Sequence, residues 1–500
     1  MADASPASRV LSDTPAPSLR GSALADAWRA YFREASEDPP HPSARNFLHA
    51  DLTDALLRLI PSDASVLEVG SGTGRLLAAL PNREKLGVDY LPERVAEAQS
   101  EFPHIPFELA DATELDRVRL GGESEPRRFD AIVCDRLCHS VLDIKALLQS
   151  LGSRLADGGR IYLTVFNDLW ELPARIAEQA GWKRPAPTTN WLSDFDLKNL
   201  FDISELEAVR YEDRLLLPLE VPGLSELTNR YLGRLPGLQQ LSLYRVYVLR
   251  ARAGVRPARA SASVSIVVPT RNEAGNVQAA IDRTPVLGSF TELIFVEGGS
   301  SDNTWQTIQE AMARYRGPLR LSAYQQTGKG KGDAVRLGFA KATGDLLMIL
   351  DADLTVPPED LTSFYEVATS GRADYVQGTR LVYPMEKDAM RFFNKIGNVA
   401  FSRLFTYLLQ QPIRDTLCGT KVLFRDDYER LVAGRAYFGD FDPFGDFDLI
   451  FGAAKLNLKI SEIPIRYRER TYGETNISRW KHGVLLLRMS LVAAKKLRFV

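Results

Sequence analysis

Cysteine is nearly absent: the 500-residue chain holds three, Cys134, Cys138 and Cys418. So few scattered thiols build no disulfide framework and fit a reducing cytoplasm. Cys134, Cys138 and His139 are close in sequence, but a metal site would need a fourth ligand, so a structural role is expected for them. Charge of one sign is lacking too. The balance of 62 basic and 64 acidic residues leaves a formal net charge of −2, which gives no global pull toward nucleic acid. No uncharged apolar run reaches 18 residues, which argues against a membrane span. The opening MADASPASRVLSDTPAPSLRGS has no continuous apolar core, so it is no signal peptide. It reads as a disordered tail over residues 1–24. No internal repeat is visible.

What is present is ordinary globular composition, 45% hydrophobic and 25% charged, in a chain too long for a single core. The stretch RARAGVRPARASAS at 250–263 is small, basic and without hydrophobic periodicity, as a linker is. It divides the chain into a domain over 25–250, a linker over 251–263 and a domain over 264–500. In the first, apolar runs end at Gly70, Asp89, Ala110, Cys134 and Phe166, separated by helical patterns. In the second they end near Val268, Val296, Ala323, Leu350 and Gly378. Strands alternating with helices imply two doubly wound α/β domains with parallel sheets. Trp170–Tyr231 breaks the pattern and reads as an insertion that shapes a pocket.

Such sheets bind ligands at the carboxyl ends of their strands, where helix N-termini and backbone amides point outward. Gly70, Gly72 and Gly74 occupy the first such turn, preceded by Glu68. Asp89 ends the second strand, where a carboxylate can accept both ribose hydroxyls, and Asp111 follows the third, within reach of an adenine amino group. The set resembles class I S-adenosylmethionine-dependent methyltransferases over about residues 45–170. That resemblance implies a Rossmann-like fold and S-adenosylmethionine as cofactor. Glu68 and the glycine turn would hold the methionine part, Asp89 the ribose and Asp111 the adenine side. Asp135 and His139 follow the fourth strand, where the family often places acceptor-facing groups. His139 either takes a proton from a hydroxyl acceptor or merely caps and packs. The methyl acceptor is not written in the sequence.

The second half carries Val267-Val-Pro269, Arg271-Asn272-Glu273, Glu297-Gly-Gly-Ser300, Gly328-Lys329-Gly-Lys331-Gly and Asp351-Ala-Asp353. Two carboxylates spaced by one residue at a strand end can face one side. With diphosphate oxygens and water they make a normal site for Mg²⁺ or Mn²⁺. A departing diphosphate gathers negative charge that such an ion stabilises. The segments, in this order, resemble family 2 glycosyltransferases of the GT-A type over about residues 263–475. The resemblance implies a nucleotide-sugar donor and single displacement with inversion. Asp351 and Asp353 would be the metal and catalytic acids, with Pro269, Glu273, Glu297, Lys329 and Lys331 around the nucleotide. Glu297-Gly298 stands where the family usually has two aspartates, which leaves the choice of donor open.

Gln377-Gly-Thr-Arg380, Arg414–Lys421, Phe444-Gly-Asp446-Phe-Asp448 and Tyr472-Gly-Glu474-Thr475 resemble the dolichyl-phosphate glucose and mannose synthases. Polyprenyl-phosphate sugar transferases are thus the expected subgroup. Arg380 and Lys421 are candidates for an anionic group of donor or acceptor, since arginine suits planar phosphate contact. A lipid phosphate acceptor is already largely ionised near neutrality. A hydroxyl acceptor would need a base, for which Asp446 and Asp448 are candidates. Residues 390–410 and 483–500 each mix apolar residues with cations. They scan as amphipathic helices, lying either in a membrane interface or against the core.

The expected protein is a bifunctional enzyme of polysaccharide or glycolipid assembly, cytoplasmic or peripheral at the inner face of the cytoplasmic membrane. The alternative is a glycosyltransferase acting on a hydroxyl acceptor, its N-terminal domain a non-catalytic binding or docking module for the methyl donor.

Overall fold

The computed structural model describes residues 23–37, 42–118, 120, 126–181, 183–187, 189–252, 259, 261–380, 382, 392–437, 447–466 and 487–499. Residues 1–22 of the expected tail, most of the linker, Asp446 and the 472–475 motif lie outside them.

Two seven-stranded sheets organise the chain. The first is built from β1 (Val66–Val69), β2 (Lys85–Asp89), β3 (Phe107–Leu109), β4 (Phe129–Asp135), β5 (Leu155–Phe166), β6 (Leu206–Arg214) and β7 (Tyr244–Ala251). Its order is β3-β2-β1-β4-β5-β7-β6. The second comprises β8 (Val264–Thr270), β9 (Thr291–Glu297), β10 (Arg320–Gln325), β11 (Leu346–Ile349), β12 (Tyr375–Thr379), β13 (Lys421–Phe424) and β14 (Ile460–Pro464). Its order is β10-β9-β8-β11-β13-β12-β14. The two doubly wound α/β units expected from the sequence are present, in mixed rather than purely parallel form. β7 runs antiparallel to both β5 and β6, and β13 antiparallel to both β11 and β12. The stretch read as an insertion contributes an edge strand, β6, to the first sheet.

Central strands are mostly apolar and buried, because helices cover both faces. Period-two alternation divides their side chains between two cores. Val267, Ile294, Leu347 and Ile349 face one layer of the second unit, while Ile266, Val268, Leu293 and Met348 face the other. The helix Phe392–Leu409 sinks Phe405, Leu408 and Leu409 into the first of these layers. That face of the helix packs on the core, while Val399, Ala400 and Arg403 are exposed. The C-terminal helix over 487–493 buries Met489 and Ala493 there and turns Leu487 and Leu491 outward.

The two sheets meet through buried charge. Arg160, opposite Ala131 near the start of the β4–β5 ladder, donates from Nη2 to Asp374 Oδ2 at 2.6 Å and from Nε to the Asn457 carbonyl at 2.8 Å. Arg250, near the end of antiparallel β7, donates to Asp374 Oδ1 at 2.9 Å and to Glu207 at 2.8 Å. Asp374 immediately precedes β12, which runs in the direction of β11. The junction thus joins the edges of the two sheets that lie opposite their ligand-binding ends.

Candidate functional sites

In the first unit, β1 ends in a turn whose amides answer to acids. Glu68 is buried and its Oε2 accepts from Leu77 N–H at 3.1 Å. Burial pushes its carboxyl well above the usual range, with the Asp135 charge adding to the effect. Asp89 accepts from Gly72 N–H at 2.9 Å and Leu91 N–H at 3.0 Å, fixing the end of β2 to the turn. Its carboxyl too is raised by burial, against the pull of these amides. Gly74 is required twice over: its φ is 76°, and a Cβ would strike the Phe107 ring. Asp111 accepts from Thr113 N–H and Oγ1–H at 2.9 and 2.7 Å.

Gly70, Asp89 and Asp111 line one cavity of about 720 Å³, its open mouth included. Glu68, Gly72 and Gly74 stand behind it and shape the turn. Trp28, Arg29 and Phe32 also line the cavity, from the helix Ala23–Glu37. Trp28 and Phe32 stack at 5.3 Å, and Arg33 pairs with Glu93 at 3.0 Å, holding that helix to the unit. Sequence reasoning missed this cover. The aromatic cluster Trp28, Tyr31 and Phe32, one helical turn wide and ahead of the first strand, was the available signal.

His139 does not face this cavity as a free base. Its Nδ1–H donates to the Asn190 carbonyl at 2.6 Å, and Nε2 accepts from Phe166 N–H at 2.8 Å. Both nitrogens are engaged, the ring is buried, and burial lowers its pKa. Packing, the second of the two roles considered for it, is what the geometry gives. Asp135 is likewise committed, to Arg136 at 2.9 and 3.0 Å and to Thr164. Cys134 and Cys138 are buried free thiols of the core.

In the second unit, Asp351 follows β11 and its Oδ1 pairs with Lys331 Nζ at 2.6 Å. Lys331 opens the helix Lys331–Lys341 after Gly330, whose φ is 88°. Burial alone would raise the Asp351 carboxyl, but Lys331, with Lys421 and Arg380 beyond it, holds it below the usual carboxylate range. Gly419 passes so close that a Cβ there would collide with this ion pair. Asp353 turns back on its own loop, Oδ1 accepting from Thr355 N–H at 3.2 Å and Oγ1–H at 2.8 Å. Among the described residues no group of three metal-ligating side chains occurs.

Glu297, buried at the end of β9, accepts from Ser300 N–H. Glu273 accepts from Asn276 Nδ2 at 2.7 Å, while its own N–H donates to Thr304 Oγ1 at 3.0 Å. Asn272 ties the same loop to Ser301 N–H at 2.8 Å. The β8 and β9 loops are thereby laced together, with Pro269 at the end of β8. Lys329 is exposed, and Lys421 is buried with Nζ donating to the Cys418 carbonyl at 2.6 Å.

Residues 265–432 match the sequence profile described as glycosyl transferase family 2, and residues 43–211 match one described as a methyltransferase domain. The chain joins a methyltransferase domain to a family 2 glycosyltransferase domain. Among curated relatives, a dolichol-phosphate mannosyltransferase of Pyrococcus furiosus is 27% identical over 225 residues, covering 43% of this chain and 59% of that protein. Glycosyltransferase AglD of Haloferax volcanii is 28% identical over 232 residues, covering 44% of this chain and 36% of the relative. The chain thus spans less than two thirds of the length of either. A solved S-adenosylmethionine-dependent methyltransferase from Thermotoga maritima aligns with 45% of this chain and 99% of its own, at 18% identity and a TM-score of 0.35.

Arg380, the candidate for an anionic group, and Asp448, a candidate base for a hydroxyl acceptor, both pair with side chains of the protein. Arg380 grips buried Asp415 through Nε at 2.6 Å and Nη2 at 2.8 Å. Asp448 pairs with Arg336 at 3.2 Å and Arg435 at 3.1 Å. The former clamp faces inward because Asp415 also accepts from Arg380 N–H at 3.0 Å, locking strand end to loop. Asp448 thus sits between two guanidinium groups.

Proposed function

We propose that the glycosyltransferase domain transfers a sugar from a nucleotide sugar to a polyprenyl phosphate, with inversion, at a Mg²⁺ or Mn²⁺ ion held by Asp351 and Asp353. The methyltransferase domain methylates an acceptor of its own, not yet identified, using S-adenosylmethionine. The observation that carries the first part is the ion pair of Lys331 and Asp351 under Gly419. It joins a carboxylate held ionised to a cation, with no side chain between them and the adjoining loop.

The donor chemistry fits the metal: two hard carboxylates leave the remaining positions to diphosphate oxygens and water. When bound, the ion neutralises charge growing on the leaving diphosphate. Asp351 and Asp353 would hold the ion, and Lys331, beside Asp351, would offer its ammonium to a phosphate oxygen of the donor. Glu297 and the Asn272–Ser301 contact order the loops that would bracket the nucleoside. The name of one relative, the dolichol-phosphate mannosyltransferase of Pyrococcus furiosus, supports a lipid phosphate as acceptor. The pairing of Asp448 with two arginines supports it as well, because a phosphate needs no base at that position.

For the methyl donor, Asp89 and Asp111 offer carboxylates to hydroxyl and amino donors, Gly70 lets the ligand approach the backbone, and Trp28 covers an apolar part of it. Transfer to an aligned acceptor lone pair needs position more than proton removal. The engaged nitrogens of His139 favour one second reading, a methyl-donor-binding module without turnover. In our reading the protein works in the cytoplasm at the inner membrane face.

Incubating the full chain with undecaprenyl phosphate, Mn²⁺ and a panel of labelled UDP-, GDP- and dTDP-sugars tests the first proposal. Label in the lipid fraction is expected. Label confined to soluble hydroxyl acceptors would overturn it. Calorimetry with S-adenosylmethionine, paired with methyl release on the same acceptors, separates the enzyme from the module.

A further inference from the structure

We propose that the outer rim of the methyltransferase domain, continued by the C-terminal helix, is a surface that binds an anionic lipid bilayer. Soluble helices turn their apolar stripe inward. The helix Glu171–Gln179 does not: it buries none of its residues, and Leu172, 67% exposed, stands one turn before exposed Ile176. The helix Leu224–Arg230 leaves both Leu224 and Leu227 exposed. The C-terminal helix presents Leu487 and Leu491, the latter 71% exposed, on the face opposite its core contacts.

These three elements are tied to one another near their ends. Trp170 Nε1–H donates to the Leu241 carbonyl at 3.0 Å, and Asn167 Nδ2 to that of Ser242 at 2.9 Å, joining the first helix to the segment that follows the second. Arg230 Nε donates to the Phe499 carbonyl at 3.3 Å, and Tyr231 stacks on Phe499 at 6.1 Å, joining the second to the chain end. Isolated exposed leucines need no explanation, but a contiguous set marks a binding surface. None of the six lines the methyl-donor cavity.

Charge identifies the occupant. Residues 487–499 contain no acid; of their four cations, Arg498 is buried against Gln239 and Lys496 lies over the Tyr437 ring. Arg488 and Lys495 are exposed on the same face as Leu487 and Leu491. Leucines that enter acyl chains beside cations that meet phosphate headgroups are the composition of an interfacial helix. Among the described residues no helix is long and apolar enough to cross a membrane. The inference deepens the reading in which a lipid-borne phosphate accepts the sugar, and it rests on that reading for its purpose.

The test is flotation of the full chain with vesicles of phosphatidylcholine, with and without phosphatidylglycerol. The protein is expected to float with the anionic vesicles and to be released by high salt. The combined variant Leu172→Asp, Leu227→Asp, Leu491→Asp should bind them at least about tenfold more weakly, given the transfer energy of exposed leucines, with an unchanged melting temperature. Arg488→Gln with Lys495→Gln should remove the preference for anionic vesicles. The proposal is overturned if the native chain stays in the dense fraction, or if the triple variant floats equally well. It is also overturned if sedimentation velocity reveals a dimer that the triple variant dissociates, since a second copy would then be the occupant. Sugar transfer to polyprenyl phosphate in detergent is measured in parallel. Transfer without flotation defeats this surface and leaves the acceptor reading intact, and flotation without transfer does the reverse.

Discussion

The two candidate sites use acids at strand ends in opposite ways. Asp89 is hydrogen-bonded by backbone amides, with a lesser pull from Arg94, and burial keeps its carboxyl above the ordinary range. Asp351 is answered by Lys331, with Lys421 and Arg380 behind, and is held below that range despite burial. An acid set among amides beside an aromatic cover suits a ligand that brings hydroxyl and amino hydrogens. An acid held ionised by cations suits a place where metal and phosphate exchange partners. Similar α/β scaffolds thus prepare one site for hydrogen bonding and the other for charge.

The sharpest way to break this contrast is Asp351→Ala. Sugar transfer should fall by about 10²–10³-fold, as when a preorganised charge partner is lost, while S-adenosylmethionine affinity stays unchanged by calorimetry. An effect on both would mean the sites are not separate. His139→Phe removes the acceptor of a buried N–H, and chemical denaturation should show a loss of about 1–3 kcal/mol. A methyl-transfer rate that collapses at unchanged fold would instead restore it as a base. Trp28→Ala should weaken methyl-donor binding about tenfold, roughly 1.4 kcal/mol, without touching sugar transfer.

The smallest effect concerns pH. A carboxylate whose pKa is depressed keeps its charge until pH falls through that lowered value. Lys331→Met removes the main cation holding Asp351 down, so its pKa rises. The acid limb of Mn²⁺-dependent transfer should therefore move to higher pH, whereas the limb for methyl-donor binding should not move. An unmoved limb would show that Lys331 does not set the charge of Asp351.

Much of this architecture was legible because strands buried on both faces are written as apolar runs. The ends read at Asp89, Phe166 and Val296 fall within one residue of the observed ones. Strand direction was not legible: nothing in Tyr244–Ala251 says that it runs against β5, since that depends on the crossing of the chain before it. The edge strand Leu206–Arg214 was hidden because five of its nine residues are charged. At the sites, residues that act through their own turn, such as Gly74 and Asp89, could be placed from spacing. The partners of Arg380 and His139, Asp415 and Asn190, were not legible because they lie 35 and 51 residues away. A long-range partner decides whether a polar group serves a ligand or the fold, and periodicity does not contain it. The cover by Trp28 and Phe32 was missed for the same reason.

The junction at Asp374 bears on how this protein can be handled and how it can evolve. Arg250 is fully enclosed and Arg160 nearly so, and each meets the same carboxylate across the boundary. Cloning either half alone would strip a guanidinium or a carboxylate of its counter-ion, so separately expressed fragments should be less soluble than the whole. A gene fusion that began as a convenience would, once this triad had formed, be hard to reverse.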